Sequence, residues 1–208
     1  MSRPPVMWPA DRPDVKFKTR IKMDSLGGTQ HAAGSASGRQ ARTLMSVYSA
    51  TSHGAVVLLS ELLSAERVKV PLDSRTKNEV LEELVRLVAP DRQELDTSAV
   101  LASVRERETV LSTGIGGGVA IPHGKTPDVD QLVLAAGVSR TPIDFDALDG
   151  KPVQLFFLLV GPESAAGAHV KALSRISRLL RRESLRSGLL AAESAEEFLR
   201  VIRASEAA

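Results

Sequence analysis

Two almost wholly apolar runs, Leu132–Ser139 and Val153–Val160, decide most of what this chain can fold into. A strand with one wet face alternates apolar and polar side chains, whereas a run that is apolar throughout has both faces covered. Helices have to supply that cover, and the flanking sequence provides them. Asp73 or Ser74 caps a helix running to Val88, with Val80, Leu81, Leu84, Val85, Leu87 and Val88 on one face and Pro90 as its stop. Asp96 starts another, with Val100, Leu101 and Val104 inward and Arg105–Glu108 at its end. Ala165–Arg182 is a long helix whose inner face is Val170, Leu173, Ile176, Leu179 and Leu180, and helices over 183–192 and 195–203 follow. A short helix near Ser60–Ser64 and a brief strand, Val68-Lys69-Val70, ended by Pro71, complete the set. Strands and helices in this order imply an α/β layer fold.

The first 54 residues differ in kind. They hold 8 Lys/Arg against 3 Asp/Glu, whereas the remainder holds 19 against 22. They are rich in Pro, Gly, Ser and Arg and carry no sustained period, apart from weak alternation over Val15–Ile21. Residues 1–54 are therefore expected to be a disordered basic N-terminal extension. A nucleic-acid or partner arm is one reading of it; a flexible tail, or residues without a role ahead of a start at Met45, is the other. Residues 55–205 are expected to form a single domain. Cysteine is absent, which removes disulfides and thiolate chemistry. The longest apolar stretches, Ala55–Leu59 and Leu155–Val160, fall far short of the roughly 20 residues of a spanning helix. No signal peptide opens the chain, so a cytoplasmic protein without membrane insertion is expected.

The chemistry is concentrated in Ser112–Lys125, where Thr113-Gly114-Ile115-Gly116-Gly117-Gly118 reads as a flexible turn and Val119-Ala120-Ile121 as a strand stopped by Pro122. Gly124-Lys125-Thr126 ends like a nucleotide-binding P-loop, but that motif needs glycine where Val119 stands. A dinucleotide fingerprint starting at Gly114 requires Gly or Ala at the same position and fails there too. What is left is His123, held between Pro122 and Gly124 at the exit of a strand. Imidazole near neutral pH is a competent nucleophile that forms covalent intermediates. On local chemistry alone two roles stay open, a hydrogen-bonded structural histidine and a phosphoryl-accepting nucleophile. Transfer needs positive charge and donors around the phosphoryl oxygens. Arg107, sixteen residues earlier at a helix end, and His169, near the start of the long helix, are within reach of that task, although a lone His169 is more simply a solvated helix residue. Aspartates 128, 130, 144, 146 and 149 show no metal-ligand spacing to either histidine, and 144–149 reads as a turn-rich loop. Neither metal nor cofactor is expected.

Several blocks in order then carry a resemblance. Arg107-Glu108, Ser112-Thr113-Gly114-Ile115-Gly116, Val119–Gly124, Ile143–Val153 and His169 with Leu173–Leu180 together resemble the IIA domain of the fructose–mannitol class of the bacterial phosphoenolpyruvate-dependent sugar phosphotransferase system, nitrogen-regulatory relatives included. The resemblance covers about residues 57–203. It implies a central mixed β-sheet flanked by helices on both faces. It aligns His123 with the phosphorylated histidine, and His169 and Arg107 with the groups that stabilise the phosphoryl. Ser112, Thr113 and Gly116 are offered as loop contacts. The implied donor is an HPr-type phosphocarrier, and the implied acceptor is a IIB component or, in regulatory members, a target protein bound according to phosphorylation state. No nucleic-acid partner is expected. Nothing after Arg203 resembles a IIB or IIC domain, so a free-standing IIA is expected.

Overall fold

The computed structural model describes residues 57–88 and 96–207. The reading of 1–54, its Val15–Ile21 alternation included, and the helix stop at Pro90 lie outside the described residues. The two apolar runs form the centre of the sheet: β5 (Val133–Ile143) and β6 (Val153–Gly161) pair antiparallel, with Ala136 opposite Phe157. At one edge β1 (Val68–Lys69) runs parallel to β5. Beyond β6 lie two short strands placed end to end, β3 (Val119–Ala120) and β4 (His123–Lys125), both parallel to it. β2 (Gly114–Gly116) turns back antiparallel on β3. The sheet is therefore mixed, in the order β1-β5-β6-β3-β2 with β4 also on β6.

Strict alternation along β6 explains why every residue of the run after Gln154 is apolar. Leu155, Phe157 and Leu159 point into one core with Ile176, Leu179, Leu189 and Phe198. Phe156, Leu158 and Val160 point into the other, with Leu81, Leu84, Val100 and Val104. The first core is roofed by α1 (Leu59–Leu62), α4 (Ala166–Leu180), α5 (Glu183–Ala191) and α6 (Ala195–Ala207). The second is covered by α2 (Lys77–Val88) and α3 (Thr97–Val110). Burying both faces of the central pair removes about 25 cal/mol of unfavourable hydration per Å² of apolar surface, which makes these strands the anchor of the domain.

Four local readings need correction. The cap of α2 is not Asp73 or Ser74. Thr76 Oγ1 accepts from Glu79 N, while Glu79 Oε2 accepts from Thr76 N at 3.0 Å, a reciprocal capping box two to three residues later than expected. Ser74 instead bonds the buried Glu83. The Gly114–Gly118 segment is a hairpin rather than a loose turn: Gly116, Gly117 and Gly118 have φ of 89°, 63° and 76°, a left-handed corner that other residues rarely take. Val170, placed on the inner face of α4, is 66% exposed. His169, which as a lone residue reads as a solvated helix histidine, is 2% exposed.

Pro122 marks the gap between β3 and β4. It has no N–H to give, yet its carbonyl still accepts from Leu159 N at 3.0 Å, so the edge continues past it. His123 then falls opposite Leu159, on the face covered by α4. Gly124 turns to the other face, where a Cβ would sit 3.0 Å from Val104 N; its absence lets α3 lie directly on β4.

Candidate functional site

At the end of the sheet, β4, the C-terminal turn of α3 and the start of α4 enclose an open cleft of about 470 Å³. His123, Arg107, His169, Lys125, Glu163 and Val170 are among the residues lining it. His123 is half-buried and both ring nitrogens are engaged. Nδ1 lies 2.9 Å from the Ile121 carbonyl, which can only accept, so Nδ1 carries the proton. Nε2 accepts from Arg107 Nε at 3.1 Å, so its lone pair is directed at a guanidinium that itself lines the cleft. Burial holds the His123 pKa below its ordinary value; the Ile121 bond opposes this, and the Arg107 charge adds to it. At neutral pH the ring is therefore uncharged and nucleophilic.

His169 stands beside it, ring centroids 5.9 Å apart in an edge arrangement. Neither of its nitrogens has a hydrogen-bond partner among the described residues. Burial, helped by His123 and Lys125, pushes its pKa down to about 4. A buried imidazole with unsatisfied donors costs free energy unless a ligand group completes it. The pair thus offers one nitrogen able to attack and another able to donate.

A buried chain of bonds fixes this geometry. Lys77 Nζ pairs with Glu108 Oε1 at 2.8 Å, and Glu108 accepts from Thr113 N at 3.0 Å and from its hydroxyl at 2.5 Å. The Thr113 carbonyl accepts from Ile121 N at 3.0 Å, and Ile121 in turn holds His123. Arg107 is steadied independently, Nη1 donating to Leu111 O at 2.9 Å.

Of the residues singled out by sequence, the fold brings His123, Arg107 and His169 together. Ser112, Thr113 and Gly116 do not line the cleft: Ser112 donates to Phe145 O, Thr113 is spent on Glu108, and Gly116 forms the hairpin corner beside Asp149. Sequence reasoning missed Lys125 and Glu163, which pair at 3.0 Å across the cleft mouth. The i, i+2 spacing of Lys125 from His123 would have placed both on one strand face, had β4 carried an apolar pattern to reveal it. Glu163, in a single turn of 3₁₀-helix before α4, left no signal.

Comparison with known proteins accords with this geometry. Residues 61–205 match the family model described as phosphoenolpyruvate-dependent sugar phosphotransferase system, EIIA 2. A fructose-specific EIIABC component from Bacillus subtilis is 38% identical over 144 residues, covering 69% of this chain but only 23% of that longer protein. A nitrogen regulatory protein from Pseudomonas aeruginosa is 35% identical over 147 residues, 71% of this chain and 96% of the relative. The crystal structure of the nitrogen regulatory protein IIA-Ntr from Neisseria meningitidis superposes with a TM-score of 0.65 at 35% identity, covering 69% of this chain and 98% of that one. The chain therefore belongs to the EIIA 2 family of the phosphoenolpyruvate-dependent sugar phosphotransferase system, and is a phosphotransferase component.

Proposed function

We propose that His123 is the phosphoryl carrier: it accepts the group from an HPr-type phosphocarrier in the cytoplasm and passes it to a IIB component in sugar uptake. The observation that carries this reading is the state of Nε2, whose lone pair is turned outward by the Nδ1–H bond to Ile121 and already touches a guanidinium. The Nε2 lone pair attacks phosphorus, the bond between phosphorus and the donor breaks, and its electron pair stays with the donor. His123 keeps its Nδ1 proton, so the carrier takes up and releases no proton of its own. Arg107 shifts from Nε2 to a phosphoryl oxygen and stabilises the charge that develops there, and a His169 N–H donates to another oxygen. Incubation with phosphoenolpyruvate, enzyme I and the HPr-type carrier is expected to give one acid-labile phosphoryl group per chain, and none in His123→Ala. Full labelling of that variant would sink the assignment.

A second reading uses the same group as a switch, its charge making or blocking contact with a regulated target. It draws on the identity with proteins named nitrogen regulatory, which this chain matches along nearly their whole length. Pull-downs with phosphorylated protein and with His123→Ala are expected to recover different partners; identical sets count against it.

A further inference from the structure

We propose that Lys125 is a second phosphoryl-binding cation, held by Glu163 in the resting protein and transferred to the phosphoryl group once His123 carries it. This inference rests on the carrier role of His123 and adds a residue and a partner exchange to it.

Charge sets the need. A phosphoryl group brings between one and a half and two negative charges, roughly, into the cleft at neutral pH. Arg107 answers one of them. Among the cleft-lining residues the other cation is Lys125, and the carboxylates are Glu106 and Glu163. Glu163 would add its charge to the same small volume, so the resting arrangement becomes unfavourable when the phosphoryl arrives.

Geometry allows the exchange. Lys125 is two residues beyond His123 in β4, hence on the same face and roughly 7 Å along the strand, a distance its four-carbon stem spans. Its Nζ now sits 3.0 Å from Glu163 Oε2, with 38% and 75% of the two side chains exposed. An ion pair that wet is weak and readily broken, whereas a dianion on Nε2 lies deeper, where screening is less. Both charges already reach the histidine pair: Lys125 pushes the His169 pKa down and Glu163 pulls it up. Released from Lys125, Glu163 turns out of the cleft just ahead of α4, on the same rim that the exposed Val170 lines. The phosphorylated surface then differs from the resting one by a freed carboxylate as well as by the phosphoryl group.

The test uses the full chain, phosphoenolpyruvate, enzyme I and the HPr-type carrier, with wild type, Lys125→Met, Glu163→Gln, the double variant and His123→Ala. Lys125→Met is expected to take up the group about tenfold more slowly, the lower end of what a hydrogen bond to a charged group contributes. Glu163→Gln should take it up faster than wild type, and this gain should vanish in the double variant. Side-chain carbon-13 NMR should show the Glu163 carboxylate shifting on phosphorylation in wild type and staying still in Lys125→Met. Wild-type uptake by Lys125→Met, or a Glu163 signal unmoved by phosphorylation, overturns the exchange. His123→Ala separates the two claims: labelling of that variant removes the carrier role, while unlabelled His123→Ala beside a fully active Lys125→Met removes the exchange alone. Thermal melts confirm that each variant is folded.

Discussion

Arg107 Nε lies 3.1 Å from His123 Nε2, so the guanidinium occupies the nitrogen that the proposed carrier role assigns to the incoming phosphorus. The contact does two things before any transfer. It keeps the lone pair directed at a guanidinium that lines the cleft, and it adds a positive charge that discourages protonation of the ring.

Replacing Arg107 by Ala is therefore expected to slow phosphoryl uptake by about 10²-fold or more, the usual cost of removing one charge-stabilising donor from a transfer site. The fold should persist, because the arginine is only half-buried and its other bond is to a loop carbonyl. The His123 pKa should rise in this variant, since a lowering influence has gone. An imidazole NMR titration together with a rapid-quench measurement of uptake checks both; unchanged uptake would remove Arg107 from the site.

His169 makes stability depend on pH. Its folded pKa is about 4 against an ordinary 6.5, so the unfolded chain binds the proton more readily. The sign follows: the stabilisation is whole above pH 6.5 and is lost as pH falls towards 4, amounting to about 3 kcal/mol over that window. Urea unfolding at a series of pH values should show this loss in wild type and a shallower one in His169→Asn. Parallel curves for the two proteins would refute it.

The Lys77–Glu108 pair should matter to both folding and transfer. Glu108 is 7% exposed and bonds Lys77 and Thr113, so Glu108→Ala leaves a lysine and two donors short of an acceptor. Lys77 keeps Asp146, which limits the cost to about 2 kcal/mol, below the range for a fully buried pair. Glu108→Gln keeps the shape and should recover most of the stability, yet still transfer more slowly, because the segment leading to Ile121 is less firmly held. Wild-type transfer in both variants would show that the chain of bonds is scaffolding only.

Gly124→Ala tests the seating of α3 on β4. The new Cβ would lie 3.0 Å from Val104 N and Cγ2 and 2.5 Å from Ser103 Oγ. The hydroxyl can turn away; the helix backbone cannot. A loss of about 1–3 kcal/mol is expected, as for other overpacked sites. Because α3 carries Arg107, uptake should fall as well. A variant as stable as wild type would mean that the helix can lift off without consequence.

The central strands were legible because burial on both faces leaves an almost wholly apolar run, and no helix of that length fits between the flanking turns. β4 was not, since His123-Gly124-Lys125 is held by backbone bonds to β6 and by the removal of a side chain, neither of which leaves an apolar pattern. Val170 was assigned inward by its type, but the cleft beside it is lined partly by apolar side chains that face water. His169 could have been placed: it stands three, seven and ten residues before Ala172, Ile176 and Leu179, all buried on one stripe of α4. The Glu108 bonds were beyond sequence reading, because Lys77, Glu108 and Thr113 meet only when α2, α3 and the hairpin are packed together.

Pro122 has a consequence for traffic through the molecule. It lets the edge of β6 continue without a full strand, so His123 is mounted on a rigid rail at the margin of the sheet, with its ring already at an open rim. Among the described residues, no lid has to lift and no strand has to part before a visitor reaches it. Throughput is then expected to follow how often partners collide with the rim, and so to be tuned by their abundance and by the match of their surfaces, much as a turnstile is governed by the queue and not by the gate.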